Sequence, residues 1–465
     1  MGLVGVVGEG ASRPALLCIS QSFAPDTTPT AIRASKLLGK LSDRWRIAVL
    51  TESERREPDR RFRVETVRSR RPRRLLTALR RMRLGKLLEL AIWPDESIFW
   101  VIPAVVAGRR AIRELAPSAI VVFMMPYSSG LAGVILRRLS GLPLILNLDD
   151  SPTCTDMHPS FPTRLHYRLA RALEDYYARR ADAIVYVSRT NLDAVRARQP
   201  EEVQRRFHLV RYGAELDELV AQPPRTANFE IAYVGAMSGW WALIGRRSNA
   251  GMLRRVYDAW SRLGRYELTA LDQRTSSPAV IGGAIHDVVA EHHEWAGRVR
   301  LTVHGNPYPP ALVAQALAGA GIEDVVAVNG PVPHEQVAGI IAAADLLFLT
   351  LPRRVDGSPG GRISAKTYEY LATDRPILAA VPHGENWDYL EGKPGVWLVD
   401  PADRERMKEI IAELASAKFA GRPRSFDRLQ LREQLSYDAL ARKFAAAVDA
   451  GIERGSHREQ ARAGA

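Results

Sequence analysis

The chain has 465 residues, which is more than one ordinary hydrophobic core accommodates, so we expect two domains of roughly 200 residues each. Its composition, 46% hydrophobic and 25% charged, excludes a disordered chain, and its two cysteines exclude a disulfide framework or a zinc site. The longest apolar run, residues 98–108, is short and contains a proline, so we expect a cytoplasmic protein without a membrane-spanning helix.

In the N-terminal half, short apolar segments alternate with segments of helical periodicity. The predicted strands are residues 15–19, 47–50, 120–123, 144–148 and 183–187, and the clearest predicted helices are residues 30–41, 130–139 and 163–179. Alternation of this kind predicts a parallel, doubly wound sheet with helices on both faces.

A basic segment, residues 68–86, contains nine arginine or lysine residues and no acidic residue, and the net charge of the whole chain is +13. Leucines and Met82 interleave with these cations, so a helix after Pro72 is expected to be amphipathic. That pattern suits an anionic membrane surface. A solvated basic face that covers the N-terminal sheet is the alternative. Nucleic acid is not expected as a partner, because no aromatic platform accompanies the charge.

Two aspartates, Asp149 and Asp150, directly follow the predicted strand at residues 144–148. Ligands of open α/β sheets bind at the carboxyl ends of the strands, so both carboxylates are candidates for contact with the hydroxyl groups of a substrate. The alternative is that residues 150–152 form a turn that begins at Asp150 and has no role in binding.

The polar, proline-rich residues 221–228 predict a hinge, and a second alternating unit begins at Phe229. We therefore expect an N-terminal domain at residues 1–222 and a second domain at 229–415. A late helix is expected within residues 425–450. The charged tail at residues 451–465 is rich in small residues and is expected to be disordered.

The segment 345–382 carries the strongest functional pattern in the chain. A buried strand at 346–351 is followed by a loop with Gly357, Gly360 and Gly361, and then by a short helix that Ser364 opens. Backbone N–H groups and the positive end of the helix dipole favour an anionic group there. Lys366 and Glu369 share one face of that helix. Such a pair suits the phosphate and ribose diol of a nucleotide, although an exposed ion pair remains the alternative.

This segment resembles the donor-site helix of the GT-B glycosyltransferases of family GT4, in the subgroup with Lys366, Glu369-Tyr370-Leu371-Ala372 and Pro376-Ile377-Leu378 in this pattern. Residues 23–34, 49–51, 181–188, 233–235 and 328–335 resemble further segments of the family. The resemblance therefore runs from about residue 15 to residue 415. It implies two Rossmann-like, doubly wound domains that face each other across a cleft, with the late helix crossing back to the N-terminal domain.

The resemblance also implies a retaining glycosyltransferase that moves a sugar from a nucleotide-sugar donor to a glycan or lipid-linked acceptor, in polysaccharide or envelope glycan synthesis. Lys366 would be the catalytic cation at the departing diphosphate. The candidate nucleotide-binding residues are Gly235, Arg246, Val332, Gly360, Gly361, Ser364, Lys366 and Glu369, and the acceptor-side candidates are Asp26, Asp149 and Asp150. No Asp-x-Asp triplet occurs, so neither a metal nor a further cofactor is expected. Residues 68–86 would place the protein at the cytoplasmic membrane face.

Two departures from the family pattern keep other functions open. Gly361 stands where the first glutamate of the paired-glutamate motif is expected, and the loop after Phe123 lacks the histidine found in many relatives. A non-catalytic GT-B module that binds a nucleotide or a partner protein is one alternative. A nucleotide-sugar 2-epimerase is the other, although the sequence shows no convincing acid/base set for that reaction. The donor base, the sugar and the acceptor are not specified by the sequence.

Overall fold

The computed structural model describes residues 13–54, 61–154, 156, 160–214, 226–237, 239 and 252–463. The chain divides into two compact units. The first unit comprises Met1–Tyr212, Ser261–Tyr266 and Tyr437–Ala465, and the second comprises Gly213–Trp260 and Glu267–Ser436. The end of the chain therefore belongs to the same unit as its beginning.

Each unit is built on one parallel sheet. The strands are β1 (Ala15–Ser20), β2 (Arg46–Thr51), β3 (Phe62–Thr66), β4 (Ala119–Phe123), β5 (Leu144–Leu148), β6 (Ser160–Phe161), β7 (Ala183–Tyr186), β8 (Phe207–Leu209), β9 (Phe229–Val234), β10 (Tyr266–Glu267), β11 (Leu271–Asp272), β12 (Val299–His304), β13 (Val326–Asn329), β14 (Leu346–Thr350), β15 (Arg353–Arg354), β16 (Ile377–Ala380) and β17 (Val396–Val399). Among the described residues, the first unit has a seven-stranded sheet of order β3-β2-β1-β4-β5-β7-β8, and the second has a six-stranded sheet of order β13-β12-β9-β14-β16-β17.

Helices connect the strands of both sheets. They are α1 (Pro29–Leu41), α2 (Arg73–Arg81), α3 (Gly85–Ala91), α4 (Ile98–Leu115), α5 (Ser129–Ser140), α6 (Arg164–Arg180), α7 (Arg189–Arg196), α8 (Glu201–Gln204), α9 (Met252–Arg262), α10 (Pro278–Glu291), α11 (Pro310–Ala320), α12 (His334–Ala343), α13 (Ala365–Leu371), α14 (Glu385–Leu390), α15 (Arg404–Phe419), α16 (Leu429–Leu435) and α17 (Tyr437–Ala463). Within the described ranges, none of them is long and apolar enough to cross a membrane.

Alternate residues of the first sheet pack into two separate cores. Leu17 and Ile19 of β1 face a core that α4 and α5 cover. Leu16 and Cys18 face a second core that α1 and α17 cover. Strands buried on both faces are continuously apolar, which is why the apolar runs in the sequence predict them. The prediction of two doubly wound α/β domains is therefore confirmed.

The C-terminal tail, expected to be disordered from Gly451, is instead helical to Ala463. A side chain at Gly451 would lie 3.0 Å from Ile145, and one at Gly455 would lie 2.3 Å from Pro143, so these glycines let α17 pack closely against the first sheet. Arg454 donates to the backbone oxygen of Asp182 at 3.1 Å. The small residues that resemble a disordered composition are thus packing residues.

The basic segment also differs from its prediction as one helix with a single apolar face. It forms α2 and α3, and Arg83 between them has a positive φ of 61°, which interrupts the helix. Leu76 is buried, whereas Leu75 is 57% exposed and Met82 is 67% exposed. One leucine therefore anchors α2 to the domain while its neighbours and the cations face outward.

Candidate functional site

In the second unit, a glycine turn at the end of β9 lies against Lys366. Gly235 has a φ of +126°, and its N–H donates to the backbone oxygen of His304 at 2.6 Å. A Cβ atom at Gly235 would lie 2.6 Å from Lys366 Cε and 2.7 Å from its Nζ. Only glycine therefore leaves room for the lysine side chain at the carboxyl end of the strand.

The ammonium group of Lys366 also lies over an aromatic ring. Its Nζ is 5.2 Å from the centroid of Tyr233, the residue before the end of β9. The helix that carries Lys366, α13, is attached to the same strand, because the Tyr370 hydroxyl accepts a hydrogen bond from the N–H of Val234 at 3.2 Å. Burial raises the pKa of the Tyr370 hydroxyl. The hydrogen bond of the buried Tyr370 thus holds the helix that carries Lys366 against β9.

The N-terminus of α13 is capped from a distance by Asn386. Its Oδ1 accepts hydrogen bonds from the Ser364 N–H at 3.1 Å and from the Thr367 hydroxyl at 2.7 Å. Asn386 is buried, and its Nδ2 has no hydrogen-bond partner within the described residues. Sequence reasoning missed this residue. It follows β16, so the rule that ligand and capping groups collect at the carboxyl ends of parallel strands would have drawn attention to it.

The glycine-rich loop is joined to the connection between β16 and α14. The Gly360 N–H donates to the backbone oxygen of His383 at 2.7 Å, and its own oxygen accepts from the Glu385 N–H at 3.3 Å. A Cβ atom at Gly384 would lie 2.2 Å from that oxygen. Gly360 was predicted to bind the nucleotide. Both its backbone groups are engaged within the protein, which fixes the path of the loop at this position.

Three of the other predicted donor-site residues lie within the described part of the chain, and one does not. Glu369 lies on α13 with its side chain partly exposed, and Gly361 is buried in the loop before that helix. Val332 is partly exposed in the segment after β13. Arg246, the predicted second cation, lies outside the described residues. The structure thus brings together Gly235 and Lys366, and it places Gly360, Gly361 and Ser364 on the same loop–helix connection.

In the first unit, Asp149 is buried rather than exposed. It accepts a hydrogen bond from the Thr30 hydroxyl at 2.5 Å and one from Asn147 Nδ2 at 3.3 Å. Its Oδ1 lies 3.7 Å from Nε of Arg33, whose guanidinium is fully buried and donates to the backbone oxygens of residues 210 and 211. Asp149 therefore connects the end of β5 to α1 directly, and to residues 210–211 through Arg33.

The remaining two acceptor-side candidates are more accessible. Asp26 is exposed, and its Oδ2 accepts hydrogen bonds from the hydroxyls of Ser22 at 2.9 Å and Ser53 at 2.5 Å, beside the ends of β1 and β2. Asp150 is partly exposed, and its backbone oxygen accepts from the Tyr127 hydroxyl at 3.2 Å. Of the three carboxylates, Asp26 is the most available to a ligand.

Among the described residues, no group of three or more histidine, cysteine, aspartate or glutamate side chains is arranged to hold a metal ion.

The two-sheet architecture is shared with proteins of known structure. The Anabaena protein Alr3699/HepE in complex with UDP is 13% identical, with a TM-score of 0.58 over 94% of this chain and 99% of that chain. Sucrose-phosphate synthase from Thermosynechococcus elongatus is 14% identical, with a TM-score of 0.56 over 97% of this chain and 100% of that chain. A glycosyltransferase from Rickettsia africae ESF-5 is 10% identical, with a TM-score of 0.59 over 94% and 99% of the two chains.

Likeness at these identities establishes the fold, which is that of the GT-B glycosyltransferases. Residues 30–213 match a family model described as a glycosyl transferase 4-like domain. A search of curated proteins found no significant match to the chain.

Proposed function

We propose that the protein is a retaining glycosyltransferase that moves a sugar from a nucleotide-sugar donor to a glycan or lipid-linked acceptor, in polysaccharide or envelope glycan synthesis. The observation that carries the proposal is the position of Lys366, whose ammonium group lies against the glycine turn of Gly235 at the carboxyl end of β9. The resemblance in fold to a protein crystallised with UDP supports a nucleotide as ligand.

In this proposal, Lys366 acts on the leaving group. When the bond between the anomeric carbon and the phosphate oxygen breaks, its electron pair stays on the nucleoside diphosphate. The oxygen of the acceptor hydroxyl forms the new bond to the anomeric carbon, and the hydroxyl proton passes to the departing diphosphate oxygen. A fixed cation stabilises the charge that develops in the transition state, and it needs no rearrangement to do so. No metal is required for that step, because the lysine supplies the positive charge.

The remaining donor-site residues bind and orient the nucleotide. The carboxylate of Glu369 is proposed to accept hydrogen bonds from the ribose hydroxyls, since it lies one turn after Lys366 on α13. Val332 is proposed to contact the base, and the segment from Gly360 to Ser364 to shape the phosphate site. Asp26 is the proposed acceptor-side carboxylate, Asp150 is a second candidate, and Asp149 is proposed to position the strand end and helix that it connects.

The acceptor and the location are also part of the proposal. The exposed cations of the basic segment 68–86 support attachment to the cytoplasmic face of an anionic membrane, where a lipid-linked acceptor is found. Adsorption of this kind needs no spanning helix.

The experiment is an assay of nucleoside diphosphate release from a panel of nucleotide sugars, with and without an extracted lipid-linked glycan fraction. Release that depends on the added acceptor supports a transferase. A donor that binds without any release would support the non-catalytic module instead. Interconversion of the sugar at C2 would support the epimerase and refute transfer.

A further inference from the structure

A cavity of about 290 Å³ lies within the first unit, and the proposed chemistry leaves it unused. It opens where β4 and β5 end, since Met124 and Leu148 line it, and one face of α6 forms its opposite wall. The carboxyl ends of parallel strands are where open α/β sheets bind ligands. Its position is therefore that of a binding site.

The described residues that line the cavity present mainly hydrocarbon and ring surfaces. They include Trp93, Met125, Phe161, Leu173 and Tyr177. An engineered apolar cavity of about 150 Å³ is large enough to bind benzene, so this cavity accommodates a group of about twice that size.

The ionisable groups in the lining are already engaged with the protein. Asp95 accepts hydrogen bonds from the N–H and hydroxyl groups of Ser128 at 3.0 and 2.7 Å. Glu174 accepts from Thr153, Tyr186 and Arg198 at 2.5, 3.1 and 2.8 Å. These contacts satisfy both carboxylates without a ligand.

The histidine and tyrosine side chains that line the cavity are also engaged with the protein. The nitrogens of His166 lie 2.8 Å from the Thr163 hydroxyl and 3.2 Å from the backbone oxygen of Leu90. The Tyr177 hydroxyl donates to the backbone oxygen of Tyr127, and burial raises the pKa of both tyrosine hydroxyls. A hydroxyl-rich sugar in this cavity would therefore lose hydrogen bonds to water and gain few in return.

Exposed leucines lie on the helices that line the cavity. Leu165 and Leu169 of α6, which flank the lining residue His166, are 61% and 40% exposed. Leu87 of α3 is 49% exposed, and Glu89 of the same helix lines the cavity. Since α3 begins within the basic segment, the cavity wall is continuous with the surface that we propose for membrane contact.

We propose that this cavity binds the alkyl chain of an amphiphilic acceptor. The assignment to an acceptor rests on the proposed transferase function, whereas binding of an alkyl chain rests on the cavity alone. The class of substrate is thus a glycolipid or lipid-linked glycan rather than a free sugar.

The test is calorimetric titration of the full chain with n-octyl β-D-glucopyranoside below its critical micelle concentration. Methyl β-D-glucopyranoside is the matched probe, because it has the same head group and no chain. The octyl compound should bind with a negative heat-capacity change, the mark of apolar burial, and the methyl compound should not bind. Equal heats from both compounds, or no binding of the octyl compound, would overturn the proposal.

Two variants of α6 locate the binding. Ala170→Trp fills the cavity and should weaken binding of the octyl compound at least tenfold, whereas Ala172→Trp, on the exposed side of the same helix, should leave it unchanged. Ala170→Leu adds less volume, should give a smaller loss, and serves if the tryptophan variant does not fold. Equal affinity in the Ala170 and Ala172 variants would place the bound chain elsewhere and refute the assignment.

A parallel titration with UDP, GDP and ADP separates this inference from the proposed function. If no nucleotide binds while the octyl compound binds in the cavity, the transferase proposal fails and the alkyl site stands. If a nucleotide binds and the octyl compound does not, the transferase proposal stands and the alkyl site fails.

Discussion

Lys366 owes its position to three neighbours that restrict it from different sides. Gly235 leaves space for its side chain, Tyr233 lies beneath its ammonium group, and Tyr370 attaches its helix to β9. A charge fixed in this way is suited to act in a transition state, because the protein has already met the cost of ordering it.

Replacement of Lys366 by alanine should therefore lower kcat and leave the fold intact. Loss of one contact to developing charge costs on the order of 3 kcal/mol, which is a roughly 100-fold slower reaction. Steady-state rates at saturating donor measure the effect. Lys393→Ala is the control, since Lys393 also lies over a tyrosine ring, at 5.8 Å from the centroid of Tyr389. Near-normal turnover of the Lys366 variant would remove this residue from the reaction.

Gly235→Ala should impair the same step through Lys366. The new methyl group would displace the lysine, and the backbone at a φ of +126° would be strained by about 1–3 kcal/mol. Gly321→Ala is the matched control, because its φ of +64° is also strained but no atom lies within 4 Å. Both variants should be less stable to denaturant, and only the Gly235 variant should lose transfer.

A double-mutant cycle tests the coupling directly. If Gly235 acts through the lysine, its replacement should cost far less transfer in a Lys366→Ala background than in the wild type. Fully additive losses would show that the glycine acts by another route.

Spacing alone predicts that Lys366 and Glu369 share a helix face, because three residues make most of a helical turn. It does not predict Asn386, which caps α13 across 22 positions of sequence. Nor does it predict that Asp149 is buried, since its partners Thr30 and Arg33 lie on a helix more than 100 residues away. The local sequence pattern therefore predicts α13, whereas contacts between residues distant in sequence determine which side chains a ligand can reach.

At the scale of helices and strands, the apolar runs predict the sheets because strands covered on both faces must be apolar. The break of the basic segment at Arg83 was not predictable in this way, because a positive φ at a non-glycine residue depends on tertiary packing. The helical tail was missed for a related reason. Glycines at 451 and 455 lower helix propensity, and only their contacts with the first sheet explain them.

The packing of that tail gives a prediction for acid stability. Burial, and secondarily the charge of Arg454 on α17, lowers the pKa of His208 in β8. The unfolded state then binds a proton more readily than the folded state, so the free energy of unfolding should decrease as pH falls below about 6.5, the ordinary histidine pKa. Above that pH, where His208 is neutral in both the folded and the unfolded state, this loss of stability is absent.

Chemical denaturation of His208→Gln between pH 5 and pH 8 measures this effect. The variant should show a weaker loss of stability toward low pH than the wild type. His457→Gln, exposed on α17, is the control and should follow the wild type. An unchanged pH profile for the His208 variant would show that the other groups alone set the acid dependence.

For the whole molecule, we consider how the positive charge of the basic segment could attract the protein to an anionic surface. Some cations of the basic segment have acidic neighbours, such as Arg73, which lies 3.7 Å from Glu52, and Arg80, which pairs with Glu96. Others, including Arg70, Arg74 and Arg81, are exposed. The segment therefore keeps an outward-facing positive surface despite its local ion pairs.

Sedimentation with anionic vesicles should be strong at low salt and should fall steeply as salt increases. Each exposed arginine contributes up to about 1 kcal/mol near such a surface, so replacement of Arg70, Arg74 and Arg81 by glutamine should release most of the bound protein. The same change at the exposed residues Arg109, Arg113 and Arg138 of α4 and α5 is the control for net charge. Equal pelleting with neutral and anionic vesicles would favour the solvated-face alternative.

We propose that the second unit binds a nucleoside diphosphate through α13, and direct titration measures this binding without any knowledge of the acceptor. UDP, GDP and ADP are titrated into the wild type, into Glu369→Gln, and into Glu391→Gln as an exposed control. One nucleotide should bind, and Glu369→Gln should weaken it by roughly 10- to 150-fold, the equivalent of a charged hydrogen bond worth about 1.5–3 kcal/mol. Binding that Glu369→Gln leaves unchanged, or no binding of any of the three, would show that α13 does not hold a nucleoside diphosphate.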